Sequence, residues 1–132
     1  MYLTVTAGSE VIVPMQAHFL ALQGLSKLLE TVQMVRQAIN PGLCISGIVL
    51  CMHERQTVLA NEVVADLNSF LEEARGTDSP WNHAVVFDPP VRRNIKLAEC
   101  PSFGQPIFNY APASHGARDY EALAHAIARH YG

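Results

Sequence analysis

Glycine-rich phosphate loops are missing from this 132-residue chain: neither G-x-x-x-x-G-K-[ST] nor G-x-G-x-x-G occurs in it. Without one there is no backbone cradle for a triphosphate, so the chain by itself does not hold one in the P-loop manner. Metal chemistry is equally poorly provided for. His18, His53, His83, His115, His125 and His130 show no H-x-x-x-H spacing and no closely spaced cysteine pair. Cys44, Cys51 and Cys100 are an odd number without C-x-x-C, which reads as reduced thiols in a cytoplasmic protein. The first two lie in one apolar run and read as core packing. There is no G-x-S-x-G, and Cys100 before Pro101 has no evident base, so no residue is assigned a catalytic role. Glu54 and Glu99 each follow an apolar segment, but nothing in the sequence brings them together. No apolar run approaches the roughly 18 residues needed to span a bilayer. The first residues also lack the basic-then-apolar pattern of a signal peptide, so no membrane partner is expected.

What remains is a globular composition. Hydrophobic residues make up 49% and charged residues 16%, which is enough for a buried core and fits a single domain over 1–132. A net charge of −3 argues against coating nucleic acid with the whole surface, so any such contact must be a local patch.

The chain reads as alternating strands and helices. Glu10 to Pro14 (E-V-I-V-P) is β-branched and stops at proline, a short strand. From Phe19 onward Leu22, Leu25, Leu29, Val32, Val35 and Ile39 share one helical face, ended by Asn40-Pro41-Gly42. Gly24 inside this helix points to close packing or a bend. Cys44 to Met52 is nearly continuous apolar sequence, the mark of a strand covered on both faces in a parallel sheet. A helix follows from about Thr57, with Val63, Leu67, Phe70 and Ala74 on one stripe beside Val64 and Leu71. His83 to Phe87 reads as the third strand. A loop over Asn109 to Gly116 leads to a last helix with Tyr120, Leu123, Ala124, Ile127 and Tyr131 inward. The expectation is an open, mostly parallel three-layer α/β sheet with flanking helices.

Val91 to Pro106 is the stretch with most chemistry. It follows the third apolar run across Asp88-Pro89-Pro90 and carries Arg92, Arg93 and Lys96 within five residues. A short helical piece and a rigid loop, Cys100 to Pro106, close it. In a parallel sheet the turn after the second strand, with Arg55, lies at the same carboxyl edge, so these cations share a face suited to phosphate contact. A solvated basic connector is the bland alternative.

Four segments then resemble the carboxyl-terminal half of ParA/Soj-type partition ATPases, of the MinD-like deviant P-loop class. Glu10 to Leu25 resembles V-x-V-P-x-Q-x-x-x-x-A-L-E-G-L, and Gly47 to Met52 resembles G-x-L-L-T-M. Arg92 to Pro106 is similar to P-R-N-x-R-L-S-E-A-P-S-x-G-x-P, with Arg92 in place of the leading proline. Ser114 to Tyr120 is similar to S-R-G-A-x-x-Y. The resemblance implies a P-loop NTPase-like fold whose phosphate loop and magnesium-linked aspartate belong to a preceding half that this sequence lacks. It implies a protein that binds ATP and Mg2+, dimerises around the nucleotide, binds DNA non-specifically and answers to a ParB-type partner in chromosome or plasmid partitioning. It places the adenine end of the pocket at Met52, Val91, Arg92, Arg93 and Asn94, and DNA contacts at Arg93 and Lys96, with Arg55 one place before the family's other DNA-contacting arginine, which falls on Gln56. The expected location is cytoplasmic and nucleoid-associated. Without the P-loop half, the chain alone is expected to bind neither ATP nor Mg2+ tightly, and to self-associate through an open sheet edge. A stand-alone, degenerate interaction module without ATPase activity is the alternative. A MinD-like membrane cycle ranks below both, because the sequence ends H-A-I-A-R-H-Y-G and not in a basic amphipathic helix.

Overall fold

The computed structural model describes residues 10–18, 20–54 and 56–131. Phe19 and Arg55 therefore lie outside the described residues, as does the side chain of Tyr131. Three strands form one sheet in the order β1 (Glu10–Met15), β2 (Cys44–Leu50), β3 (Val85–Val86), and both pairings are parallel. Helix α1 (Ala21–Ala38) joins β1 to β2, and α2 (Val58–Glu73) joins β2 to β3. Three more helices follow: α3 (Ile95–Phe103), α4 (Ile107–Tyr110) and α5 (His115–Tyr131).

β2 is central and is covered on both faces. Ile45, Ile48 and Leu50 pack with Leu25, Leu29, Val32 and Val35 of α1 and with Leu67 and Leu71 of α2. Val49 packs on the opposite side with Phe87, Val91 and Leu123 of α5, beside Leu97 of α3. Ile45 and Ile48 share a face despite their odd spacing because the register slips between Val11 and Ile12, which pair with Ile45 and Gly47 and leave Ser46 as an extra residue. Cover on both faces is why the run reads as nearly continuous apolar sequence.

Helix ends follow local chemistry. The Thr57 hydroxyl accepts from the Ala60 N–H at 3.2 Å to start α2, and Asn94 Oδ1 accepts from the Lys96 N–H at 2.9 Å to start α3. Gly104, at φ 61°, ends α3 in the left-handed conformation that suits glycine.

Several expectations are corrected. The stretch Cys100 to Pro106 is not all loop, since α3 runs through Pro101 to Phe103. Proline there removes only the bond to the Leu97 carbonyl, two residues before the helix stops. The segment from Asn109 to Gly116 is likewise not one loop, because α4 covers Ile107–Tyr110 and α5 begins at His115. The third strand shrinks to Val85–Val86, since the Arg75 guanidinium takes the carbonyls of Asn82 and Ala84 at 2.8 and 2.6 Å. Ile39 falls past the end of α1 and is exposed. In α5 the buried face is Gly116, Ala117, Asp119 and Leu123, while Tyr120 and Ala124 are exposed. Gly24 has nothing within 4 Å of a Cβ built on it, so neither packing nor crowding explains it.

Gly47 is the opposite case. A Cβ there would sit 2.5 Å from Phe87 Cε2 and 2.6 Å from the Val85 carbonyl oxygen, so β2 and β3 approach only because this residue has no side chain. Gly47→Ala is expected to lose about 1–3 kcal/mol through overpacking. Gly24→Ala is expected to gain up to about 1 kcal/mol through helix propensity. Urea unfolding of both variants, read by circular dichroism, checks the opposite signs.

Candidate functional site

Past β3 the backbone leaves the sheet at Asp88-Pro89-Pro90 and then returns to it. The Phe87 N–H donates to the Ile48 carbonyl at 2.9 Å, and the Val91 N–H donates to the Leu50 carbonyl at 2.8 Å. The His53 N–H then donates to the Val91 carbonyl at 2.9 Å, and the Arg93 N–H to the His53 carbonyl at 3.3 Å. Two turns, one after β2 and one after β3, are thus stitched together at the carboxyl edge of the sheet.

Between them lies a cavity of about 490 Å³ lined by Cys51, Met52, Val91, Arg92, Arg93, Asn94, Ile95, Leu97, Ala98 and Tyr120. All five residues assigned from sequence to the adenine end, Met52 and Val91 through Asn94, are on its wall. The volume lies in the range of small-molecule pockets, roughly 300–1,000 Å³. Ile95, Leu97, Ala98 and Tyr120 were not foreseen; they arrive because α3 and α5 close on each other. That approach depends on Gly116, where a Cβ would meet Leu97 Cγ at 2.6 Å. Met52 has φ 47°, a left-handed conformation uncommon outside glycine, and it is half-exposed at the cavity.

The cations of the turn are unequal. Arg92 is gripped by Asp119 at two points: its backbone N–H donates to Oδ2 at 3.0 Å, while Nη2 donates to Oδ1 at 2.8 Å and Nε to Oδ2 at 3.0 Å. The Asp119 side chain is 8% exposed and the Arg92 side chain 44%. His115 Nδ1 lies 3.3 Å from Arg92 Nη2. Arg93 Nε instead meets Glu54 Oε1 at 2.8 Å with both groups half-exposed or more, linking the two turns across the surface. Lys96 Nζ lies 3.7 Å from Glu99 Oε1 and 5.9 Å from the centre of the Tyr110 ring. The Tyr110 hydroxyl donates to Glu99 Oε2 at 2.6 Å, which raises its pKa. All three cations are partly exposed and differ in their partners: Arg92 is held by the buried Asp119, whereas Arg93 and Lys96 pair with the more open Glu54 and Glu99.

The lining suits the faces of a planar, largely apolar group. The nearby carboxylates are each paired: Asp119 with Arg92, Glu54 with Arg93, and Glu99 with Lys96 and Tyr110. Among the described residues no group of three or more His, Cys, Asp and Glu is placed to hold a metal, and no helix is long and apolar enough to cross a membrane.

No protein-family model matches the chain. Over 121 residues, 92% of its length, it is 39% identical to the chromosome partitioning protein ParA of Myxococcus xanthus and spans 39% of that protein. The same identity over the same share relates it to the chromosome-partitioning ATPase Soj of Treponema pallidum, of which it spans 44%. Across the shared stretch the chain is similar to the ParA/Soj chromosome partitioning proteins. It thus covers well under half the length of these curated relatives. Among solved structures it is similar to cobyrinic acid a,c-diamide synthase of Mycobacterium smegmatis, determined with bound ADP and magnesium. That match has a TM-score of 0.62 and 27% identity over 96% of this chain and 40% of the other. The fold of the chain is accordingly P-loop NTPase-like, with the open parallel sheet described above.

Burial pushes the Asp119 carboxyl up, but the hydrogen bonds and charge of Arg92, with His115 behind, outweigh it and leave the pKa lowered. The sign follows from that direction. A carboxyl with a lowered folded pKa contributes stability that is full above its unfolded value of about 4 and lost as pH falls through the folded value. Asp119→Asn is expected to cost about 1–2 kcal/mol near neutral pH, at the low end for a charged hydrogen bond because the Arg92 head is half in water. The variant's stability curve should be flatter than the wild type's below about pH 4, as denaturant melts across that range would register.

Proposed function

We propose that this chain supplies the base-binding end and the DNA-facing edge of a ParA/Soj-type partitioning ATPase. The observation that carries the reading is the cavity at the sheet's carboxyl edge, whose wall gathers Met52 and Val91 through Asn94. The names of the relatives and the ADP in the structural neighbour agree with it. The adenine ring enters that cavity, while phosphates and Mg2+ are held by residues outside this sequence, which has no P-loop of its own. Arg93 and Lys96, with Arg55 outside the described residues, contact duplex phosphates without reading bases. Their ion pairs with partly exposed carboxylates, each worth about 0–1 kcal/mol, are weak enough to be exchanged for phosphates. ATP hydrolysis, nucleotide-dependent dimerisation, response to a ParB-type partner and association with the nucleoid belong to the whole protein in this reading.

Two titrations of the purified chain test it. ADP at millimolar concentration should shift amide resonances of Met52 and Val91 to Asn94; shifts elsewhere, or none, would reject the pocket. A random-sequence duplex at low salt should be retained by the wild type and lost by Arg93→Ala/Lys96→Ala, with the salt slope falling by about 2 for the two phosphate contacts removed. Equal retention would take the basic turn out of the DNA reading.

Self-association belongs to the same proposal. Among the described residues β1 pairs only with β2, leaving its other edge without a strand. Along it runs an apolar cavity of about 630 Å³, lined by β1 and by Leu20, Gly24, Leu25 and Leu28 at the start of α1. The isolated chain is expected to dimerise or aggregate through this edge as its concentration rises. A monomer at every concentration in sedimentation velocity would count against it.

A further inference from the structure

Arg92 and Asp119 stand 27 positions apart in the sequence, on the turn after β3 and on α5, yet they make the densest polar contact of the site. Asp119 is not on the cavity wall; Arg92 is. The carboxylate holds Arg92 twice, through the backbone N–H that sets the course of residues 91–94 and through the guanidinium. A buried carboxylate with these partners gives them up reluctantly, because doing so leaves its charge uncompensated. Arg93 and Lys96 pair with carboxylates more open than Asp119, Glu54 at 51% and Glu99 at 33% exposed. Three neighbouring, partly exposed cations therefore differ in partner, one held by a buried carboxylate and two by more open ones.

We propose that Asp119 is the positioning residue of this site, fixing the Val91–Asn94 wall through Arg92 and withholding the Arg92 charge from the phosphate-facing edge. This rests on the reading of the cavity as a base pocket and of the edge as a polyanion surface. It goes beyond that reading by naming a residue that touches neither ligand and affects the two in opposite directions.

The opposition is what a purely structural role would not produce. In the full chain, Asp119→Asn should speed amide exchange at Arg92, Arg93 and Asn94 by about tenfold while Ile45 to Leu50 hold their wild-type protection. ADP should bind about tenfold more weakly, as follows from loss of a preorganised wall. Retention of random duplex at low salt should rise, with the salt slope steeper by about 1 as the released Arg92 gains a phosphate. Arg92→Lys, which keeps the charge but cannot grip at two points, should show the same local exchange, and it replaces Asp119→Asn should that variant fail to fold. Exchange that stays unchanged at residues 92–94, or that quickens equally across β2, overturns the positioning role. Duplex retention that falls or stays level, including a wild type that retains none, overturns the withholding of charge. A wild type that shows no ADP shifts rejects the base pocket itself, and the exchange arm then still decides whether Asp119 positions the wall.

Discussion

A strand with no outer face constrains everything else in this chain. β2 must be covered on both sides, so α1 and α2 on one face and α5 with α3 on the other are obligatory, and neither layer is optional cover. The same requirement makes Gly47 necessary, because β3 and Phe87 close on β2 over a residue without a side chain. Once β2 is fixed, its carboxyl end is fixed too. The turn after β3 can rejoin the sheet only where Leu50 and His53 offer backbone partners. The cavity is the space left when that rejoining turn, α3 and α5 meet beyond the last rung. Its position is a consequence of sheet geometry, as expected for sites at the carboxyl ends of parallel strands.

Much of this was legible because period and punctuation agreed. The nearly continuous apolar run Cys44 to Met52 implied burial on both faces, and the stripes on α1 and α2 gave the faces that pack there. That Met52 and Val91 through Asn94 come together was legible through the ParA/Soj likeness of the stretch, and they line one cavity. The limits have physical causes. Pro101 looked like a loop signal, but a proline near a helix end forfeits a single backbone bond, which α3 tolerates. The inward face of α5 was misassigned because apolar spacing favoured Tyr120 and Ala124. Tight approach to Leu97 and the pull of Arg92 on Asp119 instead turn Gly116 and Asp119 inward. A trace of this was present: Gly116, Asp119, Leu123 and Ile127 recur at three- and four-residue spacing, with a carboxylate in an otherwise apolar stripe. Such a residue needs a cationic partner, and sequence alone does not show which arginine reaches it.

Electrostatics then sorts a basic cluster that composition treats as uniform. The chain carries a net charge of −3, so attraction to a polyanion has to come from a local edge. Charge density along the sequence puts Arg92, Arg93 and Lys96 together, yet burial of their partners separates them. A pair with a carboxylate that is 8% exposed is built into the structure. Pairs with half-exposed carboxylates cost little to open and are screened by salt. Magnitude therefore assigns the roles: the strong pair holds the wall, and the weak pairs leave their cations available.

Arg92 occupies the position where the ParA/Soj-like pattern has proline, and the two residues stiffen a turn by different physics. Proline fixes φ covalently and has no N–H to satisfy, so its restraint is indifferent to pH and salt. Arginine leaves φ free and exposes a backbone N–H, and the restraint has to be supplied by a partner across the fold. In this chain Asp119 supplies it, accepting from that N–H as well as from the guanidinium. The wall thereby becomes dependent on an ionised carboxylate 27 residues away, and the turn is mechanically coupled to α5 in a way a proline turn need not be. Since α5 also meets the wall directly, through Tyr120 and through Gly116 against Leu97, the ion pair adds a two-point restraint to a contact that is already packed.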